Sequence, residues 1–97
     1  MARKIKWSKE SSRDLEDILD YWNNRNKSKN YSRKLYKEIH ELVHILALYP
    51  HLGVSTNENR LRVKVFRDYK IFYDVHTDFI HILKIWDSRR DPKNLNI

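Results

Sequence analysis

Residues 61–86 read LRVKVFRDYKIFYDVHTDFIHILKIW, and this stretch decides the fold. Apolar and cationic residues alternate over residues 60–65, which is the two-residue period of a strand with one buried face. Two further runs, residues 69–75 and 79–86, are rich in β-branched and aromatic side chains. Because only short polar breaks separate these runs, we expect three neighbouring antiparallel strands in a meander.

The first half of the chain has the period of helices. Residues 3–7 predict a short strand, and Ser8 is positioned to cap the helix that follows. Two apolar stripes then occur at helical spacing, Leu15, Ile18, Leu19 and Trp22 in the first and Leu35, Ile39, Leu42, Val43 and Leu46 in the second. The polar residues 23–30 between them predict a loop, and Pro50 ends the second helix.

These patterns together predict an α+β fold of two layers. An N-terminal strand and an antiparallel helical hairpin pack on a small, mainly antiparallel sheet. The 97 residues suffice for a single domain, 1–97, in which we expect residues 88–97 to form an irregular tail.

Composition narrows the classes of function. Twenty Lys and Arg against thirteen Asp and Glu give a net charge of +7, which favours nucleic acid or an acidic protein as partner. The absence of cysteine excludes disulfides, thiol catalysis and Cys-ligated metal. Residues 1–10 contain no apolar segment that could serve as a signal peptide, and no apolar run approaches the roughly 18 residues that span a membrane. We therefore expect a cytoplasmic protein without a membrane partner.

The alternation in the strands predicts which side chains point away from the sheet face that the helices cover. If Leu61, Val63 and Val65 pack against the helices, their basic neighbours point the other way. The same parity places Ile71, Tyr73, Val75, Leu83 and Ile85 inward, although it would also turn His81 inward and Ile80 and Ile82 outward. The predicted open face collects the cations and rings that hold phosphates and stack on bases, namely Arg60, Arg62, Lys64, Lys70, Phe72, Lys84 and Trp86. A solvated sheet face without a ligand has the same composition and remains the alternative.

One metal-binding signature occurs in the second predicted helix. Residues 40–44 read HELVH, which matches the H-E-x-x-H pattern of zinc proteases. His40 and His44 fall on the side of Arg33 and Lys37, away from the apolar stripe, and no third ligand stands out. We therefore expect surface histidines, and no metal or other cofactor.

Several motifs occur together in an order known from one superfamily. Trp7-Ser8 precedes Asp14-Leu15 and Tyr21-Trp22, and a helix ends over residues 46–53 in Tyr-Pro followed by glycine. The most specific segments are residues 62–73 and residues 82–92. In this combination nearly the whole chain resembles the RelE/ParE toxins of type II toxin–antitoxin systems, and its long helical hairpin is more similar to the ParE branch.

The resemblance implies a cognate antitoxin as partner, and no small-molecule substrate. Two activities occur in the superfamily: RelE-like members cut mRNA on the ribosome, whereas ParE-like members bind and poison DNA gyrase. By position, Arg62 and Lys64 match basic residues of the nucleases, and Arg89 or Arg90 matches a later arginine. Lys70 replaces an arginine, although lysine cannot contact a phosphate in bidentate fashion. The C-terminal tyrosine or histidine of the nucleases has no counterpart after Trp86.

Three functions follow from these expectations. The first is a ribosome-dependent mRNA endoribonuclease, in which the phosphate is held by Arg62, Lys64, Lys70 and Arg89 or Arg90. The second is a gyrase inhibitor that has no catalytic activity, and the third is a non-toxic RNA-binding module.

Overall fold

A computed structural model describes residues 2–58 and 60–89 of the chain. The elements in chain order are β1 (Lys4–Trp7), α1 (Lys9–Asn26), α2 (Asn30–Leu48), a 3-10 turn (Pro50–Leu52), β2 (Val54–Ser55), β3 (Leu61–Phe66), β4 (Tyr69–Val75) and β5 (Phe79–Asp87). The five strands are ordered β1-β5-β4-β3-β2; β1 runs parallel to β5, and the other neighbours are antiparallel. The predicted α+β fold is therefore confirmed. Strand β2 was not predicted, because two exposed residues show no periodicity.

The start of α1 is fixed by two serines. The Ser8 hydroxyl accepts a hydrogen bond of 2.9 Å from the Ser11 amide, which confirms the predicted cap. The same hydroxyl lies 2.9 Å from the carbonyl oxygen of Leu83, and the buried Ser11 hydroxyl donates to that of Ile82 at 2.8 Å. The first turn of α1 is thus attached directly to β5.

The predicted loop over residues 23–30 is too long. Helix α1 continues to Asn26, Lys27 closes it in the left-handed conformation with φ of 50°, and α2 begins at Asn30. The Ser32 hydroxyl contacts the Asn23 side chain, so pairing between the helices keeps these polar residues helical.

No helix within the described ranges is long and apolar enough to cross a membrane.

The main core lies between the helices and β5 and β4. Both predicted helical stripes contribute to it, and Ile71 and Tyr73 enter it from β4 as expected. In β5, Tyr73 pairs with Ile82 and Phe72 pairs with Lys84, so Leu83 is an extra residue in the strand. This bulge turns Ile80, Ile82 and Ile85 all toward the helices, and the predicted orientations of Leu83, Ile80 and Ile82 are therefore wrong.

The predicted orientation of β3 is also wrong. Arg62 pairs with Tyr73 and Lys64 with Ile71, so both cations point to the helix side of the sheet. Leu61 and Val63 instead pack with Phe72 and Trp86 in a second cluster on the opposite face. The physical reason is that the helices lie mainly over β5 and β1. The helix side of β3 can therefore carry polar residues, while its apolar residues are buried on the other face.

Candidate functional site

The face opposite the helices contains an apolar cluster in place of the predicted open aromatic surface. Phe72 is 9% exposed and Trp86 is 4% exposed, and Leu61, Val63 and Leu83 pack with them. Lys70 pairs with Trp86 in the strand register and is exposed beside this cluster. Since both rings are buried, neither offers a free surface on which a base could stack.

Lys84 is not a free cation. Its ammonium group lies 2.8 Å from the carboxylate of Glu10 and 3.6 Å from that of Asp14, and its side chain is 9% exposed. Burial raises the pKa of Asp14, while the hydrogen bond from the Ile85 amide and the charge of Lys84 act in the opposite direction. The prediction that Lys84 belongs to an open basic face is therefore wrong. The signal that could have revealed its partners is the i, i+4 spacing of Glu10 and Asp14 on one side of α1.

The arginines of β3 and of the turn before it are engaged by the chain itself. Arg62 donates a 2.7 Å hydrogen bond to the carbonyl of Gly53, on the helix side of the sheet. Arg60 lies at the other end of the meander, where its Nη1 is 3.3 Å from Nδ1 of His76. Lys64 is half-buried on the helix side. Arg62 and Lys64 do not share a face with Lys70, and Arg60 lies at the far end of the meander, so the prediction of one basic face is wrong for all three.

Arg89 is held at the end of β5. Its guanidinium forms a bidentate ion pair with Asp87, at 2.9 and 2.7 Å, which raises the pKa of Arg89 above its ordinary value. The same group lies 5.9 Å from the ring centroid of Tyr21 and 5.7 Å from that of Trp22. Arg89 is thus fixed against α1. Arg90 lies outside the described residues, as does the rest of the predicted tail beyond Ser88 and Arg89.

His76 lies at the tip of the β4–β5 hairpin, far from Lys70. His76 stacks on Phe79 and lies 3.9 Å from the carboxylate of Asp74, at the end of the β4–β5 hairpin. Asp74 is four residues along β4 from Lys70, a separation of about 13 Å. His76 and Lys70 therefore cannot contact one phosphodiester together.

The histidines of the HELVH segment differ in their surroundings. His44 is exposed as predicted, whereas His40 packs between Trp7 and Tyr36, with ring centroids at 5.3 and 4.3 Å. Burial, followed by the charge of His44, lowers the pKa of His40. Across residues 2–58 and 60–89, no cluster of three or more potential metal ligands occurs.

The candidate cations are therefore dispersed over both faces and both ends of the sheet. The architecture is that of a small basic α+β protein in which two of the candidate arginines are bound by the chain itself, Arg62 by the Gly53 carbonyl and Arg89 by the Asp87 carboxylate.

The sequence matches one family over most of its length. The model of the ParE toxin of the type II toxin–antitoxin system parDE covers residues 5–92. The chain belongs to this family, so it is the toxin of a type II toxin–antitoxin system and a cognate antitoxin is its partner. The resemblance to RelE/ParE toxins is thereby confirmed.

A solved structure has the same fold. One chain of the structure titled "Chromosomal ParDE TA system from P. aeruginosa" superposes with a TM-score of 0.72 at 20% sequence identity. The match covers 87% of this chain and 94% of that one. No curated protein sequence matches the chain significantly.

Proposed function

We propose that this toxin inhibits DNA gyrase by binding to it and has no catalytic activity of its own. The observation that supports the proposal is the dispersal of the cations that RNA cleavage would require. A phosphoryl transfer needs several donors aimed at one phosphate and a proton acceptor beside the attacking hydroxyl. The cations expected to form such a clamp lie on different faces and at different ends of the sheet, which supports the proposal.

The partners of the individual cations also argue against a phosphate clamp. Arg62 is bound to the Gly53 carbonyl on the helix side, and Arg89 is bound to Asp87. Lys84 is buried between two carboxylates. Of the candidates within the described residues, Lys70 alone is exposed on the face opposite the helices without an ion pair. A single lysine does not form a phosphate clamp.

The helical hairpin also supports a ParE-like activity. Helices α1 and α2 contain 18 and 19 residues, which agrees with the long hairpin that resembles the ParE branch. The ribosome-dependent endoribonuclease is the alternative, and it depends on Lys70 together with Arg62.

Two reactions with one preparation of the full-length chain distinguish these functions. The chain is titrated into a supercoiling reaction that contains purified gyrase and relaxed plasmid. It is also added to a cell-free translation reaction, and the mRNA is examined by primer extension. We expect supercoiling to fall with dose while the mRNA stays intact. Lys70→Gln should inhibit gyrase as the parent does.

The opposite pattern would establish the alternative. If mRNA is cut and supercoiling is unchanged, and Lys70→Gln prevents the cutting, the toxin is an endoribonuclease. Pulse labelling after induction provides the same distinction in cells: gyrase inhibition stops thymidine incorporation before methionine incorporation. If neither reaction responds and cells keep growing, the gyrase proposal fails as well.

A further inference from the structure

The net charge of this protein is concentrated at one end of the helical hairpin. Residues 21–37, which we call the basic tip, contain six of the twenty Lys and Arg and none of the thirteen Asp and Glu. The rest of the chain has fourteen basic and thirteen acidic residues, so it is almost neutral. The cations of the tip are all exposed, and they are Arg25, Lys27, Lys29, Arg33, Lys34 and Lys37.

These cations lack the partners that other basic residues have. Lys37 lies 4.0 Å from Glu41, and both side chains are largely exposed, so the pair is weak. The other five form no ion pair within residues 2–58 and 60–89. By contrast, Arg67, Lys84 and Arg89 are each held by a carboxylate at 2.8 Å or less. The charge of the basic tip is therefore free to bind an anion.

The first two turns of α2 carry positive charge, which is unfavourable at the N-terminus of a helix. The N-cap residue is Lys29, whose side chain makes no capping hydrogen bond, and the first turn contains no acidic residue. The amide of Asn30 donates to the Ser28 hydroxyl at 3.2 Å, so the amides that stay available are those of the next residues. Arg33 and Lys34 follow within the next turn. Because the N-terminus of a helix carries partial positive charge and free amide groups, these cations oppose the helix dipole. A bound phosphate would remove that conflict.

The basic tip is held in one conformation. Lys27 adopts the left-handed conformation that reverses the chain between the helices. The Ser32 hydroxyl contacts the side chain of Asn23 across the hairpin, and the ring of Tyr31 packs edge-on against Trp22 at 4.9 Å. The ends of α1 and α2 are thus fixed side by side, so the backbone that carries the cations needs little reordering to meet a rigid surface.

The aromatic residues of the tip favour double-stranded over single-stranded nucleic acid. Single strands bind by stacking bases on free rings. Here each tyrosine of the tip contacts another ring of the chain: Tyr21 and Tyr31 contact Trp22, and Tyr36 contacts His40 at 4.3 Å. Tyr21 and Tyr36 remain 47% and 48% exposed, so the tip offers two partly covered rings beside six exposed cations, and its charge outweighs its stacking surface.

We propose that the basic tip is a sequence-independent binding surface for the phosphate backbone of duplex DNA. The cations on the adjoining ends of α1 and α2 contact phosphates, and the amino terminus of α2 points at one of them. This binding requires no gyrase, so it goes beyond the proposed function, and either can fail without the other.

The test measures the affinity of the antitoxin-free, full-length chain for a fluorescent 30-base-pair duplex by anisotropy over a range of salt concentrations. Four to five phosphate contacts correspond to a slope of log affinity against log salt of about −4. The double variant Lys29→Gln/Arg33→Gln should reduce the steepness of that slope by about two, roughly one for each cation removed. It should also bind more weakly at low salt, by on the order of tenfold or more.

The matched control removes the same charge elsewhere. Lys4 and Lys9 are exposed, and Lys9 begins α1, about 27 Å from the other end of that 18-residue helix. Lys4→Gln/Lys9→Gln should retain the slope of the parent. A second tip variant, Lys34→Gln/Lys37→Gln, should repeat the loss, which separates a lost contact from a fold defect at one position.

Three results would overturn the proposal. The first is an equal loss of affinity in the tip and control variants, which would mean that overall charge alone matters. The second is tighter binding of the parent to a 30-nucleotide single-stranded RNA than to the duplex. The third is an absence of measurable binding to DNA at low salt.

Discussion

The hydroxyl of Tyr73 accepts a 3.0 Å hydrogen bond from the backbone amide of Gly53 in the interior of the protein. The same hydroxyl donates to the carbonyl of Pro50 at 2.5 Å. Burial raises the pKa of Tyr73, so this group remains a hydrogen-bond donor throughout the neutral range. The contact attaches the turn after α2 to the centre of the sheet.

Replacing Gly53 should destabilise the fold because of space and not because of backbone conformation. Gly53 has φ of −77° and ψ of 153°, which any residue adopts, but a Cβ there would overlap the Tyr73 hydroxyl. We expect Gly53→Ala to lower the free energy of unfolding by about 1–3 kcal/mol. Tyr73→Phe leaves two buried polar groups unpaired and should cost about 1–3 kcal/mol. Urea denaturation of both single variants and the double variant tests the coupling, and additive effects would contradict it.

The cap of α1 provides a second prediction. Ser8→Ala removes the acceptor for the Ser11 amide and the contact with the Leu83 carbonyl, so it should cost about 1–2 kcal/mol of unfolding free energy. Ser12→Ala is the control, since Ser12 is exposed one turn along the same helix. Equal thermal unfolding of the two variants would show that the cap does not stabilise the protein.

The ion pairs of Lys84 predict a change in the titration of Asp14. Burial already raises the pKa of Asp14 above 3.8, and Lys84 opposes that shift. Lys84→Met should therefore raise this pKa further, which carbon NMR of the carboxyl group measures. A raised pKa means that the Asp14 carboxyl binds a proton more readily in the folded protein than in the unfolded chain. The contribution of Asp14 to stability therefore falls as pH rises from 3.8 through the folded pKa, in the parent and more strongly in the variant. If the pKa of Asp14 measured in this way is the same in the variant as in the parent, Lys84 does not influence the titration of Asp14.

His40 should make stability depend on pH in the opposite sense. Its pKa lies below 6.5 in the folded protein, so the unfolded chain binds the proton first as pH falls. Stability contributed by neutral His40 is therefore present above pH 6.5 and is lost as pH falls toward the folded pKa. His40→Gln should flatten the curve of unfolding free energy between pH 7 and pH 5, roughly the range in which histidine titrates. His44→Gln, at an exposed position, is the control and should change that curve less.

Local patterns in the sequence determined the elements of this protein. The period of two in residues 61–86 and the stripes from Leu15 to Leu46 define a meander and a helical hairpin, because each pattern records which residues are buried along one element. The Tyr-Pro end of the second helix and the Ser8 cap are equally local. These features, together with the motifs shared with RelE/ParE toxins, sufficed to predict the α+β fold and the superfamily.

Only the tertiary structure decided which face each strand presents and which cations are free. The alternation in β3 predicts a strand correctly but predicts the wrong face for its apolar residues, because β3 lies beyond the helices and buries Leu61 and Val63 against Phe72 and Trp86. The bulge at Leu83 and the pairing of Lys84 with Glu10 depend on where α1 meets β5. Such contacts join residues more than seventy positions apart, and a periodic pattern within one element carries no information about them. For the same reason the basic tip becomes one surface only when the ends of α1 and α2 are packed side by side.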